Sequence, residues 1–227
     1  MKAAGIIAAG EGSRLQSVAP IKPLIQVAGR SLCSWVVSGL QTAGVDEITV
    51  LHNSRGKALR GSLKDSCPAV SFTFLQADTA SSWESFRLVA RTLSARNLNF
   101  LISTSDCLMP PVAVAEFAKA MEASCADAGL ALTTFVDDEK PLWAQVDGGF
   151  VKKLGESARK DAVTCGLYYL SSAVVEQMGS ASQFSSLRSY LGSLVSKFRI
   201  AAKVFPKSLD IDRPEDLIAA ESFLISR

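Results

Sequence analysis

Short apolar segments alternate with longer amphipathic segments along most of this 227-residue chain. Apolar, β-branched runs predict strands at 2–9, 46–52, 70–75, 98–104, 130–136, 142–146, 163–170 and 198–205. Apolar residues at helical spacing predict helices at 31–44, 82–97, 110–129, 184–198 and 214–225. Such alternation is typical of a mostly parallel sheet with helices on both faces, so we predict a three-layer α/β/α sandwich.

One stretch, residues 137–157, departs from this alternation. Two short apolar runs flank the sequence Asp147-Gly148-Gly149, which is typical of a hairpin turn. No linker, internal repeat or low-complexity tract divides the chain, and its length is sufficient for one well-buried core. We therefore expect a single domain over residues 1–227. Its first half would cover about 1–110, and its second half, about 111–227, would hold the hairpin and the C-terminal helix.

Charge and hydropathy exclude several classes of protein. The formal net charge is +2, which is too small to favour nucleic acid or an anionic membrane surface as a partner. No apolar run approaches the ~20 residues of a membrane-spanning helix, and "MKAAGIIAAG" is typical of a buried strand and not of a signal peptide. We expect a cytoplasmic protein that binds neither nucleic acid nor a membrane, and the oligomeric state is left open.

The cysteines and the single histidine limit which disulfides, metal sites and catalytic groups the chain can form. The five cysteines, at 33, 67, 107, 125 and 165, are odd in number and have no C-x-x-C spacing. We therefore expect reduced thiols and neither a disulfide framework nor zinc. The single histidine, His52, ends the strand predicted at 46–52. A structural role at the strand end is favoured, because one histidine alone supports neither a histidine metal cluster nor a Ser-His-Asp triad.

A glycine-rich segment, "AAGEGSRL" at residues 8–15, follows the first predicted strand. Gly10 and Gly12 let backbone amides approach an anion closely. The planar guanidinium of Arg14 can hold two phosphate oxygens. The segment therefore predicts a phosphate-binding loop, with solvated loop charges as the alternative.

The known glycine-loop patterns do not fit this segment. A dinucleotide fold requires a third glycine where this chain has Leu15. Pro20 and Pro23 disfavour a helix directly after the loop, and the P-loop pattern is absent. We predict that the loop stays non-helical until a helix begins near Ser31. Lys22 would then be a point charge whose backbone is stiffened by its flanking prolines.

Asp106 is a candidate cation ligand by its place in the sequence, and a second acidic segment, near the C-terminus, is similar to the late D-x-D-x-P-E-D-L segment of a known enzyme family. Asp106 follows the strand predicted at 98–104, at the sheet edge where ligands bind in open α/β folds. Asp210 and Asp212 lie in the late segment "SLDIDRPED". Asp212 also fits a capping box with Glu215, so Asp210 is slightly favoured and both are kept. Asp216 is expected only to complement the dipole of the last helix.

Together these motifs resemble the sugar-1-phosphate nucleotidyltransferases, the NDP-sugar pyrophosphorylase superfamily. The family signature, A-A-G-x-G-[ST]-R-L followed by P-x-K-P-L and V-x-G-x-x-L, is matched within residues 8–32. The matching residues are Ala8, Ala9, Gly10, Gly12, Ser13, Arg14, Leu15, Pro20, Lys22, Pro23, Leu24, Val27, Gly29 and Leu32. The resemblance implies a Rossmann-like sandwich with a mixed, mostly parallel central sheet, of the nucleotide-diphospho-sugar transferase type.

The resemblance also implies an activity. An NTP and a phosphorylated small molecule, a sugar-1-phosphate in this family, would give an NDP-sugar and pyrophosphate with Mg²⁺ as cofactor. The first half would bind the nucleotide and the second half the acceptor. The implied catalytic residues are Arg14 and Lys22, and the implied metal ligands are Asp106 with Asp210 or Asp212. The implied nucleotide contacts are Ala8, Ala9, Gly10, Gly12, Ser13, Arg14, Gln76, Thr79 and Asp106, and the implied acceptor contacts are Gly166 and Lys153.

Departures from the family pattern keep alternatives open. Asp78 stands where the family has a glycine, and Lys152 and Lys153 are out of register with the family's second lysine. A stretch beginning at Asp78 is also similar to cytidylyltransferases, so a phosphocholine-like or polyol-phosphate-like acceptor is an alternative. A catalytically silent nucleotide-sensing domain is another. Leu15 and the prolines count against a nicotinamide-dependent enzyme, and the base stays open.

Overall fold

A nine-stranded mixed sheet forms the centre of the protein. The computed structural model describes residues 1–137 and 139–225. The strands are β1 (Ala3–Ala8), β2 (Gln26–Val27), β3 (Arg30–Ser31), β4 (Glu47–His52), β5 (Ser71–Gln76), β6 (Asn99–Thr104), β7 (Cys107–Leu108), β8 (Ala128–Thr133), β9 (Trp143–Asp147), β10 (Phe150–Leu154), β11 (Ala162–Ser171), β12 (Ile200–Phe205) and β13 (Leu209–Asp210). The α-helices are α1 (Leu32–Thr42), α2 (Ala58–Ser66), α3 (Ser82–Ser94), α4 (Pro111–Ser124), α5 (Ser172–Glu176), α6 (Leu187–Leu194) and α7 (Pro214–Ile225).

The strand order is β5-β4-β1-β6-β11-β8-β12-β10-β9. Strands β5, β4, β1 and β6 pair in parallel, and so do β8 and β12. Strand β11 is antiparallel to both β6 and β8 and joins these two groups. The expectation of a mixed, mostly parallel sheet is confirmed. The carboxyl ends of β1, β4 and β6 therefore meet at one edge of the sheet.

Helices cover both faces of this sheet, as predicted. Apolar residues of α1, α2 and α4 share one buried cluster, and those of α3, α5 and α6 share another. Strand β1 serves both clusters because successive side chains of a strand point to opposite faces. Ala4, Ile6 and Ala8 join the first cluster, and Ala3 joins the second. The sandwich thus has one core on each side of the sheet.

A third buried cluster links the beginning and the end of the chain. It contains Leu15 from the glycine-rich loop, Val27 from β2, and Ile211, which precedes α7. Ala220 and Phe223 of α7 pack into the same cluster. This packing places the segment before α7 beside the loop that follows β1.

Several predicted boundaries are wrong by three residues or more. The helix predicted at 184–198 spans only Leu187–Leu194, and the helix predicted at 82–97 ends at Ser94. The helix predicted at 110–129 ends at Ser124, because Cys125 adopts a left-handed conformation with φ 50°. The next strand consequently begins at Ala128, earlier than the predicted 130–136. Helix α2 was missed, since "ALRGSLKDS" buries only Leu59 and Leu63. The hairpin around Gly148 is confirmed, with Phe150 paired to Asp147 across the turn.

His52 has the structural role that the sequence favours. Its side chain is buried at the end of β4, and Nε2 accepts a hydrogen bond from Arg60 Nε over 2.9 Å. Because Nε2 accepts, the proton lies on Nδ1, which is 2.8 Å from the Asn53 carbonyl. All five cysteines are free thiols. Among the residues that the structure describes, none of the helices combines the length and the apolar character needed to cross a bilayer.

Candidate active site

The glycine-rich loop leaves β1 at Ala8 and stays non-helical apart from one 3-10 turn over Ser13–Leu15. Gly12 has φ 58° and ψ 35°, a left-handed conformation that glycine adopts without steric cost. The Leu15 amide donates to the Gly12 carbonyl over 3.0 Å and closes the turn. Leu15 is buried and holds the turn to the core, while Ser13 and Arg14 remain exposed.

Asn53, which the sequence reading missed, fixes the start of this loop. Its Nδ2 donates to the Ala9 carbonyl over 3.1 Å. Its Oδ1 accepts from the amides of Arg55 and Gly56, so β4 is tied to β1 beyond the end of both strands. The available signal was an asparagine directly after an apolar strand, a position where Asn commonly bonds to the backbone two residues on.

Lys22 lies in a short 3-10 turn, Lys22–Leu24, beside the glycine loop. Its Nζ is 2.6 Å from Asp106 Oδ2 and also donates to Asp212 Oδ1. The Lys22 side chain is only 9% exposed. A Cβ at Gly12 would be 2.7 Å from Lys22 Cβ, so the absence of a side chain at Gly12 is what allows this packing.

The environment of this ion pair favours charge on both partners. Burial lowers the pKa of Lys22, but attraction to Asp106 and hydrogen bonds to Asp106 and Asp212 outweigh it, so the pKa is raised well above its usual range. Burial raises the pKa of Asp106, but the Lys22 ammonium and a hydrogen bond from Thr104 outweigh it, and the pKa is lowered. The site therefore holds an ionised lysine against an ionised aspartate.

A two-stranded ladder positions the late acidic segment. Strand β13 pairs antiparallel with β7, and Asp210 lies opposite Cys107. One carboxylate oxygen from each of Asp106, Asp210 and Asp212 lies within 4.8 Å of the other two. The structure thus joins all three residues expected from sequence as metal ligands, and it adds Lys22 to the same cluster.

Asp216 does more than complement the dipole of the last helix, which is the only role expected from the sequence. Helix α7 begins at Pro214, and Asp216 accepts hydrogen bonds from the amides of Asp212 and Arg213 over 2.8 and 2.7 Å. Asp216 therefore performs the reciprocal capping that the sequence assigned to Glu215. Helix α7 begins at Pro214, as predicted, so the residue that precedes it is Arg213 and not the Asp212 that the capping box required. The carboxylate of Asp212 is consequently available to Lys22.

A cavity of about 250 Å³ opens over this cluster. It is bordered by Arg14, Asp106, Asp210, Asp212, Gly166, Tyr168, Arg188 and Arg213, among others. Gly166 has φ 82°, and a Cβ there would meet Thr104 Oγ1 at 2.5 Å. Gly166 borders the cavity, and its role as an acceptor contact stays a prediction. Arg188 is a cavity residue that the sequence reading did not single out.

Several other expected contacts lie outside this cavity: the loop residues Ala8, Ala9, Gly10, Gly12 and Ser13 and the side chain of Lys22 do not border it, and neither do three residues farther along the chain. Gln76 is exposed at the end of β5. Thr79 Oγ1 forms a 2.6 Å hydrogen bond with the Ser85 hydroxyl. Lys153 is exposed on β10. None of the three borders the cavity described above.

We expect Gly12→Ala to damage both the loop and Lys22. A left-handed conformation costs a non-glycine residue roughly 1–2 kcal/mol, and the new methyl would collide with Lys22 Cβ at 2.7 Å. Thermal unfolding should show a lower Tm, and nucleotide binding should weaken. Gly61→Ala on α2, where a Cβ meets nothing within 4 Å, is the matched control. A Gly12→Ala protein that matches this control in both measurements would contradict the packing argument.

Comparison with known proteins agrees with this geometry. Residues 4–181 match the model of the MobA-like NTP transferase domain. The bifunctional IPC transferase and DIPP synthase of Rubrobacter xylanophilus is 26% identical over 230 residues, which cover 98% of this chain and 52% of that protein. The chain thus spans about half the length of this curated relative.

Solved structures show the same fold. The inositol-1-phosphate CTP transferase of T. maritima superimposes with a TM-score of 0.83 at 21% identity, over 98% of this chain and 95% of that one. A putative glucose-1-phosphate thymidylyltransferase of Bacillus anthracis superimposes with a TM-score of 0.84 at 16% identity, over the same shares of the two chains. The resemblance to sugar-phosphate nucleotidyltransferases seen in the sequence is confirmed. The chain belongs to the family of MobA-like NTP transferase domains.

Proposed function

We propose that this chain is a nucleotidyltransferase. It joins the nucleotidyl group of an NTP to a phosphorylated sugar or polyol, a sugar-1-phosphate in the simplest case, and releases pyrophosphate. The observation that carries the proposal is the ion-pair cluster of Lys22, Asp106 and Asp212 beside the glycine-rich loop. Asp106 and Asp212 of this cluster border the cavity of about 250 Å³.

The acidic residues fit a divalent cation. Asp106, Asp210 and Asp212 each offer a carboxylate oxygen, within 4.8 Å of one another, and Mg²⁺ prefers such oxygen ligands. When bound, Mg²⁺ would neutralise triphosphate charge and polarise a phosphoryl oxygen. In the structure the Lys22 ammonium already supplies positive charge to two of these carboxylates.

The chain's own residues support an in-line displacement. An oxygen of the acceptor phosphate attacks the α-phosphorus of the NTP, and the bond from that phosphorus to the oxygen bridging to the β-phosphate breaks. In this proposal, backbone amides at Gly10 and Gly12, with the Ser13 hydroxyl, would donate to the leaving pyrophosphate. Arg14 is exposed and 3.9 Å from Glu139, so its guanidinium is free to exchange that weak surface pair for phosphate oxygens.

Lys22 is the residue best placed to stabilise the transition state. An ammonium has three donors, and Lys22 directs two of them to Asp106 and Asp212. In this proposal the third donor would bond to a phosphate oxygen of the bound nucleotide, and the burial of Lys22 would strengthen that interaction. Because both carboxylates hold the ammonium in place, little reorganisation is needed when charge develops.

CTP with a polyol phosphate is the first pair of substrates to test. The relatives include one named for inositol-1-phosphate and CTP and one named as a bifunctional IPC transferase. A cytidylyltransferase acting on a polyol phosphate is therefore the second candidate, and it differs from the first in base and acceptor but not in mechanism. A phosphocholine-like acceptor should be tested in the same assay.

Pyrophosphate release should be measured for ATP, CTP, GTP and UTP against inositol-1-phosphate, glucose-1-phosphate and phosphocholine. We expect one NTP and acceptor pair to release pyrophosphate in the presence of Mg²⁺ and to stop when EDTA is added. The nucleotide conjugate should appear in equal amount by mass spectrometry. Nucleotide binding without release for every pair would indicate a sensing domain. Binding of NAD(P) instead would indicate a nicotinamide-dependent enzyme.

A further inference from the structure

Three arginines border the cavity, and within the part of the chain that the structure describes no lysine does. Arg14 belongs to the glycine-rich loop, whereas Arg188 and Arg213 come from the second half of the chain. Lys153, which the family resemblance implies as an acceptor contact, is exposed on β10 outside the cavity. Positive charge that the second half contributes to the cavity therefore comes from Arg188 and Arg213.

Arg213 and Arg188 differ in the charge of their partners. Arg213 Nη2 is 3.5 Å from Asp137 Oδ1 and 3.8 Å from Asp216 Oδ1, so two carboxylates offset its charge. Arg188 Nη2 instead donates to the backbone carbonyl of Lys140, and Arg188 forms no ion pair with any residue that the structure describes. A guanidinium has five N–H donors, so Arg188 keeps its positive charge and further donors for an anion in the cavity.

The backbone that carries Arg188 is firmly anchored. The amide of Leu187 donates to the Ser82 hydroxyl over 3.0 Å, and the ring centroid of Tyr190 lies 4.1 Å from that of Trp83. Leu187 and Tyr190 are both buried, and their partners belong to α3. The first turn of α6 is thus fixed against α3, and it holds Arg188 at the border of the cavity with its side chain exposed.

We propose that Arg188 binds the phosphate group of the acceptor, the role that the resemblance implies for Lys153. A phosphate monoester carries a charge of about −1.5 to −2 at pH 7, and its approach to an anionic triphosphate is disfavoured unless cations offset the repulsion. The proposed function assigns Arg14 to the leaving pyrophosphate and Lys22 to the transition state, so the acceptor needs a cation of its own. The planar fork of Arg188 fits two phosphate oxygens at once. The kinetic role rests on the proposed function, whereas binding of a phosphate ester does not.

The first measurement is binding by calorimetry. The full chain is titrated with inositol-1-phosphate and with glucose-1-phosphate, each in the presence of α,β-methylene analogues of the four NTPs, which cannot release pyrophosphate. An ester should bind, and Arg188→Ala should weaken its binding about 10–100-fold, the usual effect of losing a hydrogen bond to a charged group. Arg188→Lys, which keeps the charge but not the fork, should lose less. Lys153→Ala and Arg96→Ala, a change at an exposed arginine outside the cavity, should bind the ester like the unchanged protein.

The second measurement is kinetic. In Arg188→Ala the KM for the acceptor should rise by about the same factor, while the KM for the NTP and the Tm stay unchanged, since Arg188 is exposed. A lower Tm, or equal increases in both KM values, would indicate a structural role and overturn the proposal. So would unchanged ester binding in Arg188→Ala, weaker binding in Lys153→Ala alone, or no binding of either ester by the unchanged protein.

The two measurements also separate this inference from the proposed function. If Arg188→Ala weakens ester binding in a protein that releases no pyrophosphate with any substrate pair, the proposed function fails and the phosphate site stands. Pyrophosphate release with an unchanged acceptor KM in Arg188→Ala would leave the proposed function standing and remove Arg188 from it.

Discussion

Lys22→Ala should release pyrophosphate about 10²–10³-fold more slowly than the unchanged protein, the usual effect of removing one preorganised donor from a developing oxyanion. Lys22 is buried, its Nζ is 2.6 Å from Asp106 Oδ2, and it also bonds to Asp212. Its charge is thus held next to the cavity in which the α-phosphate would lie. The loss should appear in kcat more than in KM, because the interaction strengthens as the transition state forms.

The control for this change is a lysine that does not contact the carboxylate cluster. Lys64 is exposed on α2, so Lys64→Ala should retain full turnover. Lys22→Arg is not expected to restore activity, since a planar guanidinium does not fit the space of a 9% exposed ammonium. Circular dichroism establishes that each variant is folded. Near-normal turnover in folded Lys22→Ala would remove Lys22 from the mechanism.

Lys22→Ala should also change cation binding in the opposite direction. The ammonium neutralises two of the three carboxylates in the cluster, so its removal leaves them with uncompensated negative charge. We expect Mn²⁺ to bind about tenfold tighter or more, an effect of about 1.4 kcal/mol, when measured by calorimetry without nucleotide. Weaker cation binding in this variant would mean that Lys22 organises the carboxylates and does not compete for them.

Asp106→Asn should be the second severe loss, with pyrophosphate release lowered about 10²–10³-fold. A bound divalent cation supplies several kcal/mol of charge stabilisation, and each 1.36 kcal/mol corresponds to about tenfold in rate. Asp106 both belongs to the carboxylate cluster and bonds to Lys22. Because Asp212 still holds Lys22, the variant should remain folded, and Mn²⁺ affinity should fall together with turnover.

Two comparisons make this result specific. Asp65→Asn, a change at an exposed aspartate on α2, should alter neither cation affinity nor turnover. Asp210→Asn and Asp212→Asn, studied in the same assays, identify which residue is the second ligand. A folded Asp106→Asn protein that binds Mn²⁺ normally would place the cation elsewhere.

The parts of the fold that follow from local chemistry were predictable. Leu15, Pro20 and Pro23 determine that the glycine loop is not followed by a helix, and α1 indeed begins at Leu32 after its N-cap Ser31. Strands such as β4 and β6 were predicted within one residue of their ends. The failures also have local causes: the left-handed Cys125 ends α4 early, and α2 has too few apolar residues to show a helical pattern.

The candidate site was only partly predictable for a different reason. Asp216 was misread because the capping box assumed that Asp212 directly precedes the helix, whereas α7 begins at Pro214 and the amides of Asp212 and Arg213 donate to Asp216. Asn53 was overlooked because its hydrogen bond to Ala9 joins residues 44 positions apart. Neither contact leaves a periodic pattern in the sequence.

By itself the sequence determined the layer architecture and the non-helical course of the loop at residues 8–15, because strand and helix periodicity, glycine and proline act within a few neighbouring residues. It also indicated Lys22, Asp106, Asp210 and Asp212 one by one. Only the tertiary structure decided that they form one cluster, since Lys22 and Asp212 are 190 positions apart. Their contact depends on the pairing of β7 with β13 and on the packing of α7 against the loop, which are long-range interactions that no local pattern encodes.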